Sequence, residues 1–256
     1  MANSTEILEY LPKSYKTKDE QDYINFLWDS YEVNYRNDKF QFSFMAYHLI
    51  FMTYAYFQIW KIYNGNIDDF KKSCLGFDKL DTLIAELEER NVKNIEDSRP
   101  LEMLYPFSFS EINERTIMIF FKLIGCDKSK IGRYKKVVDE RNEIAHANGK
   151  LIFVAAENLD KKTNEILLLV EEIQRHSTSV LDHCFTQFLI DSSDPEDREF
   201  YDPIDQLNEI LINSNYLSQK DIEHLLNFDI TQLSAETNYT EMETLFNAFK
   251  TEYAIA

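Results

Sequence analysis

Apolar residues along the chain recur every three to four positions, the spacing of one helix face, with only thin traces of the alternation that marks a half-buried strand. Lys18 to Arg36 predicts a first helix, with Tyr23, Phe26, Leu27, Tyr31 and Val33 on its apolar side. A second runs from Phe40 to about Tyr63 and stops near Asn64 and Gly65. Shorter helices are expected over 67–75 and 78–91, followed by a loop over 99–106 held by Pro100 and Pro106. Ser108 to Glu111 has capping-box spacing and predicts a helix from there to about Gly125. A basic helix over about 129–147, closed by Asn148 and Gly149, leads to a long one over about 158–190 with a kink expected near Ser177. The acidic, proline-bracketed stretch 192–203 is the best boundary. Beyond it, short helices are expected near 204–212, 218–227 (capped by Ser218) and 239–252.

The second helix is unusual in having no Asp, Glu, Lys or Arg between Phe40 and Trp60. That length could cross a bilayer. However, Gln41, Ser43, His48, Thr53 and Gln58 interrupt it, and Tyr47, Tyr54 and Tyr56 spread hydroxyls through its middle. Lipid would leave those groups without partners, whereas the centre of a helical bundle or dimer would not, so the expectation is a buried soluble helix.

Composition agrees with helices. Only 5 Gly and 5 Pro occur among 256 residues, too few for a turn-rich sandwich or barrel, and 19 Phe with 15 Tyr exclude a disordered chain. The organisation expected is a helical domain over 1–191 and an acidic helical extension over 192–256. The three cysteines, Cys74, Cys126 and Cys184, are widely spaced and odd in number, which supports neither a disulfide framework nor a zinc site. The first residues show no basic segment followed by an apolar one, so a reducing, cytoplasmic location is expected.

A net charge of −18 argues against coating of nucleic acid or anionic membrane over the whole surface. Positive charge is nevertheless concentrated: residues 122–150 hold eight basic groups against four acidic, whereas 191–256 hold fifteen acidic against three basic. Such an island can focus an anionic ligand locally. Placed on a helical wheel, its apolar stripe is Ile131, Tyr134, Val137, Val138, Ile144 and Ala145, and Arg141 falls at the centre of that stripe. A guanidinium does not enter a sealed core without a partner, so this face should meet a cleft, an interface or an anion. Asn142, His146 and Lys135 line one flank of the stripe. His146 sits about 140° round the wheel from Arg141, so a single helix cannot close both around one phosphate.

Here the sequence resembles a known family. Arg141-Asn142, three residues and His146, with Ala145 before the histidine and Asn148-Gly149 after it, resemble the arginine–polar–histidine signature of HEPN domains (higher eukaryotes and prokaryotes nucleotide-binding). The resemblance covers roughly 18–190 and implies an all-α, antiparallel helical bundle, with the acidic helical C-terminal extension outside it. Many members are metal-independent endoribonucleases of prokaryotic defence, toxin or stress systems, and they act as homodimers with one composite site. On that reading RNA supplies its own 2′-hydroxyl nucleophile. His146 would be the general base or acid, Arg141 the phosphate clamp, and Asn142 the group orienting one of them. The products would carry a 2′,3′-cyclic phosphate and a 5′-hydroxyl, with no cofactor.

Arg133, Lys135 and Lys136 are candidate RNA-backbone contacts, while Tyr134 offers a stacking face but belongs by position to the core. A regulatory or antitoxin protein is an expected partner. The tyrosine that some toxins of this family carry two residues after the histidine is replaced by Asn148, so control by adenylation is not implied. The acidic tail could cover the basic cleft or serve only for solubility. The alternative function is a non-catalytic HEPN module binding a nucleotide or a partner protein. His48 reads as a hydrogen-bonded core histidine, and His176, His183 and His224 as isolated.

Overall fold

A computed structural model describes residues 4–74, 78–100, 102–146 and 149–254. It is an all-α bundle, and no strand occurs among the described residues. Thr17 opens the first helix, α1 (Lys18–Arg36), with a reciprocal cap: its side chain accepts from the Glu20 N–H, and Glu20 accepts from the Thr17 N–H. Helix α2 (Phe40–Gly65) then runs through the middle of the molecule and is buried along nearly its whole length. This is the placement its uncharged sequence called for. No helix among the described residues is long and apolar enough to cross a membrane.

Around α2 pack α1, α3 (Ile67–Cys74), a basic helix (Lys128–Ala145), and a long helix (Ala156–Asp191) that stays continuous through Ser177. Ser177 gives its hydroxyl to the Ile173 carbonyl inside its own helix. A Cβ at Gly65 would lie 2.9 Å from Val180 Cγ1, so glycine there lets the end of α2 approach the long helix. Helix α4 (Asp78–Glu96) extends past the expected end at 91.

The region after Pro106 departs from expectation. Ser108 does not open a long helix; its hydroxyl accepts from the Tyr105 N–H (3.3 Å), and residues 106–111 form a 3-10 turn. The cap moves to Asn113, whose side chain accepts from the Arg115 and Thr116 N–H groups (3.1 Å each), starting the short α5 (Glu114–Ile117). A 3-10 segment, Met118–Ile124, follows and ends at Gly125, whose φ of +78° suits glycine. The reason lies in packing. Ile112, Met118, Phe120 and Phe121 are all buried, and on one uninterrupted α-helix they would spread over about 240° of the wheel, too wide for a single core-facing side. The basic helix, α6 (Lys128–Ala145), is capped by Asp127, whose carboxylate accepts from the Lys130 N–H (2.9 Å). The long helix is α7 (Ala156–Asp191).

Two hydrophobic cores share α7. Its first part, to Ile173, joins the core around α2. From Leu181 onward it anchors a second core with α8 (Pro203–Gln206), a π-helical turn (Leu207–Asn213), α9 (Gln219–Leu225) and α10 (Tyr239–Tyr253). The second core therefore starts inside α7, ahead of the polar 192–203 stretch. Phe185 sits at its centre, against Phe188, Phe228, Phe246 and Phe249.

The C-terminal segment is docked firmly. Pro12 bridges Ser218, the Lys13 N–H donates to the Leu217 carbonyl, and Tyr216 donates to Glu20 (2.9 Å). Asp221, fully buried, accepts from Lys61 of α2, from Gln174 of α7 (2.7 Å) and from the Ser218 N–H (2.7 Å). Among the described residues the C-terminal segment pairs with the rest of the chain through Asp221 on Lys61, Lys220 on Glu9 and His224 on Asp182, not with the basic residues of α6.

Removing one partner of a buried ion pair strands the other charge, at a cost of roughly 3–5 kcal/mol. Asp221→Ala should therefore lower unfolding stability by about that amount in urea titrations. Adding Lys61→Met should restore part of it; a double variant no more stable than Asp221→Ala would contradict this account.

Candidate functional site

The buried stripe of α6 is Ile131, Tyr134, Val137 and Val138, and Arg141 continues it one turn on. There the helix meets α5 and α2, and the guanidinium finds the partner that its position demanded. Arg141 Nη2 donates to Glu114 Oε2, and the same oxygen accepts from His48 Nε2 on α2 at 3.0 Å. Arg141 Nε lies 3.4 Å from that ring nitrogen. Arg141 and Glu114 are about one-fifth exposed at 22% and 21%, while His48 is wholly buried.

Burial disfavours charge on His48 and holds its pKa below the ordinary value, against the pull of Glu114. The ring is thus neutral, with Nε2–H donating to Glu114. Its Nδ1 has no hydrogen-bond partner. For Glu114, burial would favour the neutral acid. The hydrogen bonds from His48 and Arg141, together with the guanidinium charge, outweigh it and hold the carboxyl down at about 2.

Arg141 and Asn142 line one open cavity of about 460 Å³, together with Lys79, Ser110, Glu111 and Glu114. His146 lies elsewhere. It is the C-cap residue of α6, with extended backbone (φ −80°, ψ 140°), its N–H bonded to the Asn142 carbonyl at 3.1 Å and its side chain exposed. Within one chain the structure therefore joins Arg141 to Asn142 and leaves His146 facing solvent at the helix end. Helix α6 stops at Ala145, before the expected end. Asn148 lies outside the described residues.

Part of the basic island is paired. Arg133 makes a two-pronged contact with Glu172 (2.9 and 2.7 Å), Lys136 approaches Glu140 at 3.9 Å, and Lys162 of α7 also reaches Glu140. Lys135 is half-buried on the flank it shares with Asn142. Tyr134 is fully buried, with its hydroxyl donating to Glu172 (2.8 Å), so it offers no stacking face. His176 Nδ1 lies 3.1 Å from the Ile124 carbonyl and His224 Nε2 2.7 Å from Asp182, so neither is isolated.

Sequence reasoning missed Glu114. An arginine at the centre of an apolar stripe required an anion, but the expected Ser108–Gly125 helix hid which carboxylate could reach it. Among the described residues no cluster of His, Cys, Asp or Glu could hold a metal ion.

A carboxylate with a folded pKa near 2, against an ordinary 4.5, contributes stability that is present above about pH 4.5 and lost as pH falls toward 2, about 3 kcal/mol in all. His48 acts with the same sign, because the unfolded chain takes up a proton that the buried ring refuses. Glu114→Gln should lower stability at pH 7, and the gap to the unaltered protein should narrow as pH falls below about 4.5. Urea titrations at pH 7 and pH 3 measure this, and a gap of constant size would refute the assignment.

Comparison with protein-family models, with curated proteins and with solved structures yields no match.

Proposed function

We propose that the chain is a metal-independent endoribonuclease of the HEPN type, working in a prokaryotic defence or stress system and cutting RNA at a site built from two copies. The observation that carries this reading is the split of its motif. Arg141 and Asn142 open on one cavity, while His146 is exposed at the free end of the same helix. Such a half-site acquires a clamp and a proton-transfer group around one phosphodiester only when a second copy contributes. Exposed apolar side chains that follow α6 in the chain or start α2 suit that copy: Leu151, Val154 and Phe42 are 75%, 67% and 66% exposed. Ile152 N–H donates to Gln41, and Phe153 packs on Phe44 at 4.8 Å, which ties this surface to the start of α2.

The chemistry follows from RNA. Its 2′-hydroxyl is already beside the phosphorus, so the site must take that proton, stabilise the extra charge on the phosphoryl oxygens and protonate the leaving 5′-oxygen. His146, water-accessible at a helix C-terminus, suits the proton transfers near neutral pH. Arg141 has more than one guanidinium N–H to offer, and Asn142 adds an amide donor.

One observation favours the second reading, a non-catalytic module that binds a nucleotide or a partner protein. Glu114 already neutralises Arg141, and a clamp must release or share that carboxylate before it grips phosphate.

Purified protein incubated with single-stranded RNA in the presence of EDTA should yield 2′,3′-cyclic phosphate ends. His146→Ala should slow cleavage by about 100-fold or more. Arg141→Ala should slow it by roughly 10–100-fold, and sedimentation should show a dimer. Cleavage by His146→Ala at the unaltered rate would remove the catalytic assignment. Nucleotide binding that depends on Arg141, without any cleavage, would favour the second reading.

A further inference from the structure

A second cavity, of about 640 Å³, opens between α1, the middle of α2 and the turn that begins at Tyr105. Its floor is deep in the protein: Met52, Thr53 and Tyr56 are only 1%, 2% and 7% exposed. Tyr23 and Phe107 form a wall, edge to face with ring centroids 5.6 Å apart, and Tyr105 stands exposed at the rim. That volume lies inside the range of small-molecule clefts, roughly 300–1,000 Å³.

Every charged group lining this cavity is a carboxylate: Asp19, Glu20 and Glu114. Glu20 is committed to the cap of α1 and to Tyr216. Asp19 is exposed in the first turn of α1. Glu114 uses Oε2 for both His48 and Arg141, and it lines this cavity as well as the one containing Arg141. Tyr23 and Tyr56 both sense the charge of Glu114, and Tyr56 senses the opposing charge of Arg141 as well, which sets the two rings near that carboxylate.

We infer that this cavity binds a small organic cation, an alkylammonium group held among Tyr23, Tyr56, Tyr105 and Phe107 with its charge toward Asp19 and Glu114. Aromatic faces carry negative potential and attract a cation that has shed its water, most strongly where the walls are buried. An anionic ligand would meet carboxylates and no lining Lys or Arg. A neutral apolar ligand would strip water from Glu114 and return nothing to it. The inference does not rest on the ribonuclease reading: Asp19, Tyr23, Tyr56, Tyr105 and Phe107 have no part in it, and Glu114 alone is shared, as the partner of Arg141.

Calorimetric titration of the full chain tests it. The probes are choline, its uncharged isostere 3,3-dimethylbutan-1-ol, 1,4-diaminobutane and guanosine. Choline should bind at one site about tenfold or more tightly than the isostere. Asp19→Asn and Tyr23→Leu, both at exposed positions, should each weaken binding by about fivefold or more while leaving the thermal transition in place. Binding of 1,4-diaminobutane in place of choline would support the site and assign it to a primary ammonium. Failure of both ammonium probes, equal binding of the isostere, tighter binding of guanosine, or unchanged affinity in both variants would overturn the inference.

Discussion

A helix buried along nearly its whole length must draw the partners of its polar groups from inside the protein, and α2 is such a helix. Its partners are spread over the whole fold. Ser43 donates to the Tyr31 carbonyl of α1, Tyr54 to the Val170 carbonyl of α7, and Trp60 to the Leu104 carbonyl in the loop before Pro106. Lys61 reaches Asp221 in α9, and His48 reaches Glu114 in α5. Each bond ties a different element to the central rod, and an unmade bond at such depth costs about 1–3 kcal/mol. The arrangement of the bundle is therefore constrained by a handful of polar atoms as well as by its apolar mass.

The candidate site is one consequence of that constraint. His48 needs an acceptor, Arg141 on the inward stripe of α6 needs an anion, and one oxygen of Glu114 answers both. Short α5 exists where it does because Asn113 caps it and because Phe120 and Phe121 must enter the core just beyond it. Local backbone punctuation thus sets the electrostatics of the motif. Arg141 is held by Glu114, while His146, one residue past the last helical turn, is anchored among the described residues through its backbone N–H on the Asn142 carbonyl.

Charge is distributed to the same effect. Three of the six basic residues of α6, Arg133, Lys136 and Arg141, are answered by Glu172, Glu140 and Glu114, so the island is less positive than its residue count implies. Glu114 and Ser110 line both cavities. One cavity is lined by Lys79 and Arg141 as well as Glu111 and Glu114, whereas the described charged residues lining the other are all carboxylates. A cation near Glu114 and an anion near Arg141 would each compete with, or reinforce, the ion pair between them. The two cavities are thereby electrostatically linked.

Helix type, most helix positions and the burial of α2 were legible in the sequence, because they depend on the spacing of apolar residues and on the lack of charge between Phe40 and Trp60. So was the anomaly of Arg141, since a charge on an apolar stripe is visible on a wheel. The identity of its partner was not, because Glu114 is 27 residues away along the chain and its place depends on a helix break at Ile112 and Asn113 that core packing imposes. The docking of the acidic tail through Asp221 on Lys61, 160 residues apart, was equally hidden. Local patterns report local geometry. Which distant charges meet is decided only when the helices pack and each buried polar group must be satisfied by whatever the fold brings beside it.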